Sequence, residues 1–206
     1  MKFTYFVISE ANMDFQAGFL YHIYNQANAD FRLFKEERDY ELFLGKLGKW
    51  VRPKCDILAY CLMPNHYHLM VSANDLSVEK VKLGSIQMNA LSNGMRILQS
   101  QYAQEFNEKY HSRGSLFRPR AKAKLLDDSG HHALNCFHYI LQNPVKARLC
   151  RDPFEWKYSS AIETESNKEN SIITPPLLKQ HIDLDWANFR EEIKRINDDE
   201  RDIWTL

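Results

Sequence analysis

Apolar and polar positions alternate along this chain in segments whose period changes several times. Residues Phe19–Gln26 (FLYHIYNQ) form an aromatic-rich run of strand character. From Arg38 or Asp39 to about Trp50 the spacing predicts a helix, with Leu42, Phe43, Leu47 and Trp50 on one side and Pro53 marking its end. Asp56–Leu62 (DILAYCL) reads as a buried strand. Met63-Pro64-Asn65 breaks it, and His66–Val71 (HYHLMV) resumes it, so the pair predicts a hairpin. Residues 76–110 read as mostly helical, interrupted near Ser92-Asn93-Gly94, with Leu98, Tyr102 and Phe106 as a core stripe at i, i+4 and i+8. Gly114 turns the chain into Leu116–Leu126. There Arg118, Arg120, Lys122 and Lys124 take one face of a strand, and Pro119, Ala121, Ala123 and Leu125 the other. Pro119 suits an edge strand or its first residues. A helix from about His131 to Gln142 ends at Asn143-Pro144.

The order strand, helix, strand, strand, long helix, strand, helix predicts an α+β fold. Its core is a ferredoxin-like βαββαβ unit with an antiparallel sheet, followed by a trailing helix. Residues 167–176 are polar and then Pro-rich, which suggests a linker. The expected organisation is a domain over 1–160 and a linker with C-terminal extension over 161–206, the latter carrying Trp186, Phe189, Ile193 and Trp204.

With 206 residues, 44% of them hydrophobic, the chain has material for one domain with a substantial core. No run reaches the roughly 18–20 uncharged apolar residues of a membrane span. The opening MKFTYFVISE reads as no secretory signal. Cys55, Cys61, Cys136 and Cys150 form no C-x-x-C pair, so reduced thiols in a cytoplasmic protein are expected. The net charge is zero, but it is unevenly spread. Residues 108–151 hold nine Lys and Arg against three acids, whereas 182–206 hold eight acids against four bases. Such polarity leaves room for a local phosphate-binding face.

Three constellations could carry chemistry. His66 and His68 lie at i and i+2 of one strand, so their imidazoles share a face and could converge on a divalent ion. Tyr67 would point the other way, into the core. An H-x-H triplet also arises by chance. Tyr139 and Asn143 share a helical face if the last turn continues through Asn143. A phenol is a poor nucleophile at its free pKa of about 10, and a neighbouring cation would activate it. The same two residues could equally be a core-edge aromatic and a helix stop. The third constellation is the basic strand. It fits phosphate contact, reinforced by Arg113, Lys146 and Arg148, or a charged edge that resists aggregation. His22 on the first strand could support the site or be an ordinary core histidine.

Together these segments resemble a known family. LMPNHYHLMV (62–71) resembles the HUH motif of single-tyrosine transposases, with Tyr67 as the bulky middle residue. The run 21–47 is similar to the family's first strand and helix, and GSLFRPRAKAKLL (114–126) to its fourth strand. HYILQNPVKARL (138–149), followed by FEWKYSS (154–160), is similar to its tyrosine helix and the segment beyond. The likeness spans about residues 19–160, and the branch it most resembles is the REP-associated tyrosine transposases, within the IS200-like group. Gln26, where many members carry arginine, and the neutral overall charge are departures.

The resemblance implies a metal-dependent single-stranded DNA endonuclease and strand transferase cutting next to hairpins. Tyr139 would be the nucleophile, forming a 5′-phosphotyrosine link, and His66, His68 and Asn143 would hold Mg²⁺ or Mn²⁺. The DNA-binding residues would be Arg113, Arg118, Arg120, Lys122, Lys124, Lys146 and Arg148. The partner would be single-stranded DNA with a hairpin like a repetitive extragenic palindrome, bound by a monomer or a homodimer. A domesticated module that binds structured single-stranded DNA or RNA without cutting is the alternative, and a water-using phosphodiesterase a third.

Overall fold

A computed structural model describes residues 14–28, 31–126, 131–166 and 171–195. Along the chain run β1 (Leu20–Gln26), α1 (Glu37–Trp50), β2 (Asp56–Met63), β3 (His66–Ser72), α2 (Asp75–Val78), β4 (Lys80–Leu83), β5 (Ile86–Asn89) and α3 (Ala90–Lys109). They are followed by β6 (Lys122–Leu126), α4 (His131–Lys146), α5 (Ala161–Ser166), α6 (Pro175–His181) and α7 (Phe189–Lys194). The main sheet has the order β2-β3-β1-β6, with every neighbouring pair antiparallel. This is the ferredoxin-like βαββαβ arrangement, with α2 and the β4–β5 hairpin inserted between β3 and α3.

Strand alternation gives the sheet two apolar faces. Tyr21, Ile23, Ile57, Leu62, Tyr67, Leu69 and Val71 pack against α1 and α3, through Phe43 and Leu47 of the first and Leu98, Tyr102 and Phe106 of the second. The opposite face, with Leu20, Ala59, Cys61, Met63 and Met70, is covered by Cys136, Phe137, Ile140 and Leu141 of α4. Leu178 of α6, Ile182 just after it, and Phe189 and Ile193 of α7 join that second cluster. Trp204, expected in the extension, lies outside the described residues.

Two expectations need correction in the segment 76–110. Only its second half is one helix. The first half forms the short α2 and the hairpin, which turns at Gly84 with φ +61°. The helix α3 then runs unbroken through Ser92-Asn93-Gly94. Gly94 is there for space, since a Cβ at this position would stand 2.4 Å from the Trp50 carbonyl oxygen at the end of α1.

The basic strand is shorter than expected. Ladder pairing begins only at Lys122, and residues 118–121 are irregular, with an isolated bridge from Ala27 to Phe117 before them. Pro119 has no N–H to give to a ladder. The edge position is as expected, since β6 lies outermost beyond β1. The other edge, β2, is covered by residues 158–160: Leu62 N–H donates to the Tyr158 carbonyl (2.9 Å) and Ser160 N–H to that of Tyr60 (2.9 Å).

The helix α4 also runs past its expected end, through Asn143-Pro144 to Lys146. It closes one turn later, where Ala147 N–H donates to the Asn143 carbonyl (2.9 Å) and Arg148 adopts φ +57°.

Candidate active site and nucleic-acid interface

The residues of interest gather where α4 crosses the second face of the sheet. The register β1/β3 sets Gln26 opposite His66, Tyr24 opposite His68 and His22 opposite Met70. The register β1/β6 sets Lys124 opposite His22 and Lys122 opposite Tyr24. Directly paired residues share a face, so His22, Tyr24, Gln26, His66, His68, Lys122 and Lys124 all lie on the α4 side. Tyr67 points to the other face, wholly buried, with its hydroxyl accepting from Gln99 Nε2 (2.6 Å).

His66 opens β3 and His68 follows within it. Their rings are 4.9 Å apart between centroids and nearly perpendicular (79°). Over His68 stands the Tyr139 ring at 5.2 Å, also edge to face (84°). One turn further along α4, the Asn143 side chain lies beside both His66 and Tyr139. The helical continuation through Pro144 is what keeps Tyr139 and Asn143 on one face. The tyrosine helix thus meets the histidine strand of its own chain.

Burial governs the electrostatics. It pushes His66 down to about 4, partly offset by the bond to Asn143. It holds His68 well below the usual range, helped by His22 and His66 nearby. His22 is pushed down to about 3 by burial and by the Lys124 charge. Burial raises the Tyr139 phenol, and the bond to Asn143 partly offsets this. All three imidazoles are therefore neutral at physiological pH, the form that ligates cations.

The donor set fits a divalent ion. His68 Nε2 is buried without a hydrogen-bond partner, as is Asn143 Nδ2. An orphaned imidazole nitrogen at this depth is costly unless something occupies it. His66 Nδ1 is bonded to Asn65 Oδ1 (2.8 Å) and His68 Nδ1 to His22 Nε2 (2.9 Å), the outer support that metal-ligating histidines usually carry. Among the described residues no cluster of three or more His, Cys, Asp or Glu side chains is arranged to chelate an ion. The candidate set is two imidazoles and an amide.

The cations divide into near and far. Lys122 and Lys124 flank the site on the β6 edge, and Lys146 Nζ lies 5.9 Å from the Tyr139 ring centre. Arg118 reaches the His66 end. Its N–H donates to the Gln26 carbonyl (3.0 Å), Asn25 Nδ2 donates to its carbonyl (3.2 Å), and its guanidinium faces the Gln26 amide. Arg120 is exposed in the irregular approach to β6, Arg113 in the connection after α3, and Arg148 at the left-handed close of α4. Tyr24 was missed by the sequence reading. It stacks on His22 (4.8 Å, 27°), and its position two residues after His22 on a strand was the available signal.

No family model matches the chain, and no curated protein matches it. Among solved structures, that of a REP-associated tyrosine transposase bound to a REP hairpin superposes with a TM-score of 0.57. The match covers 81% of this chain and 91% of that one at 16% identity. The two share a fold. No described helix is long and apolar enough to cross a membrane.

Proposed function

We propose that this chain nicks and rejoins single-stranded DNA beside a hairpin, with Tyr139 as nucleophile. The observation that carries the reading is the convergence of Tyr139 and Asn143 on the paired imidazoles of His66 and His68. The hairpin bound by the solved structural neighbour supports the choice of substrate.

His66, His68 and Asn143 would hold Mg²⁺ or Mn²⁺, which supplies Lewis acidity at the scissile phosphate. Asn143 orients the phenol. The Tyr139 oxygen attacks phosphorus and gives up its proton. A phosphotyrosine bond forms, the bond to the 3′ oxygen breaks, and that oxygen leaves as a protonated 3′-hydroxyl. Attack by another 3′-hydroxyl reverses the step and joins strands without ATP. Lys122, Lys124, Lys146 and Arg118 bind the backbone around the cut, and their charge is sequence-independent.

The test is incubation with a pool of labelled hairpin oligonucleotides and Mn²⁺. A covalent protein–DNA adduct is expected, and it should be lost in Tyr139→Phe. An adduct that persists in that variant, or none from any hairpin, refutes the mechanism. The neutral net charge favours a binding-only module instead. That reading predicts hairpin retention with no adduct. Cleavage without a trapped adduct would point to water as the nucleophile.

A further inference from the structure

We infer that Tyr24 is a second catalytic residue: its hydroxyl donates a hydrogen bond to a non-bridging oxygen of the phosphate that Tyr139 attacks. The inference rests on the DNA-nicking reading above and adds a group outside the nucleophile and the ligand set.

Tyr24 lies on the α4 side of the sheet, directly opposite His68 on β3 and Lys122 on β6. Its ring is backed by His22, 4.8 Å away between centroids at 27°, and lies 6.0 Å from the His68 ring. His22 is itself wholly buried and bonded to His68 at 2.9 Å, so the support is firm. Tyr139 stands 5.2 Å from the same His68 ring. Two phenols therefore flank one imidazole, and the Tyr24 phenol is close enough to raise the proton affinity of the Tyr139 phenol.

The Tyr24 hydroxyl is also uncommitted. Tyr60, Tyr67 and Tyr102 spend theirs on structural hydrogen bonds with Glu163, Gln99 and the Leu33 carbonyl. That of Tyr24 makes none among the described residues, yet it is not among the buried atoms left without a partner. The ring is half-buried and the polar tip is open, the disposition of an aromatic that meets a ligand with its hydroxyl. Negative charge is spread over the non-bridging oxygens in the transition state of phosphoryl transfer, and a donor already aimed there lowers the barrier. The hydrogen stays on Tyr24 throughout, and no bond to it breaks. Lys122, exposed across the strand pair, holds the DNA backbone against this side of the site.

The test is single-turnover adduct formation by the full-length chain on the labelled hairpin with Mn²⁺. Tyr24→Phe removes the hydroxyl and keeps the ring. It should cut the rate by about 10²-fold while hairpin affinity and Mn²⁺ uptake stay near wild type. A wild-type rate in this variant overturns the inference, and so does a loss of rate that merely follows a loss of affinity or of Mn²⁺. Sulfur accepts hydrogen bonds poorly, so a scissile phosphorothioate supplies a second readout. In one of its two diastereomers the sulfur should slow the wild type more than it slows Tyr24→Phe. Equal sulfur effects in both proteins overturn the inference. An adduct formed by wild type and Tyr24→Phe alike leaves the nicking function standing and removes Tyr24 alone, whereas no adduct from wild type overturns both.

Discussion

Asn143 stands beside both the His66 imidazole and the Tyr139 phenol, close enough to bias the proton affinity of each. One amide thus couples the nucleophile to a ligand. Asn143→Ala should cut the rate of adduct formation by about 10²-fold or more while hairpin affinity stays near wild type. Single-turnover kinetics on the labelled hairpin measure it. A rate equal to wild type would reduce Asn143 to a residue of the helix end.

The buried histidines make stability depend on pH. His22 and His66 have folded values of about 3 and about 4, below the ordinary 6.5, and His68 is shifted the same way. Below pH 6.5 the unfolded chain binds protons that the folded chain refuses, so folding free energy falls as pH drops toward 4. Each such proton contributes a slope of about 1.4 kcal/mol per pH unit. Urea melts between pH 7 and 4.5 should therefore show falling stability, with His66→Gln flattening the slope by about one proton. A flat profile in wild type would mean that these rings are open to water.

Gly94 sits where α3 crosses the end of α1, with no room for a methyl group against the Trp50 carbonyl. In an exposed helix Gly→Ala stabilises. Here it should destabilise by about 1–3 kcal/mol, because backbone must yield. Denaturant unfolding of Gly94→Ala decides the sign.

Lys124 and Lys146 approach the Tyr139 site from opposite sides, one from the sheet edge and one from the helix. The double alanine variant should weaken binding to single-stranded oligonucleotides of any sequence. It should lower the slope of log affinity against log salt by about 1.4, roughly 0.7 per phosphate contact. Fluorescence anisotropy across a salt series measures this, and an unchanged slope removes both lysines from the interface.

The histidine pair was legible in the sequence because strand geometry has a period of two. HYH puts two imidazoles on one side and a tyrosine on the other whatever surrounds it, and Tyr67 is indeed in the core. Elements decided by neighbours were harder to read. KVKL and IQMN are too short and too mixed to betray a hairpin, so the segment blended into a helical pattern. Ser92-Asn93-Gly94 looked like a break because the reason for Gly94 is a carbonyl over forty residues away in sequence. Pro144 looked like a stop because it has no N–H to give the carbonyl four residues back, yet the helix carries on past it and closes through the Ala147 N–H onto the Asn143 carbonyl. The hydrogen bond between His22 and His68 joins residues 46 positions apart, and only the sheet register reveals it.

Gln142 precedes Asn143 on α4, and its Nε2 donates to the carbonyls of Ile193 (2.9 Å) and Arg195 (2.6 Å) at the end of α7. The nucleophile-bearing helix is therefore clamped from behind by the chain's final described turn. A protein shortened to end just after α4 would keep every chemical group of the site and lose the brace that holds them in line.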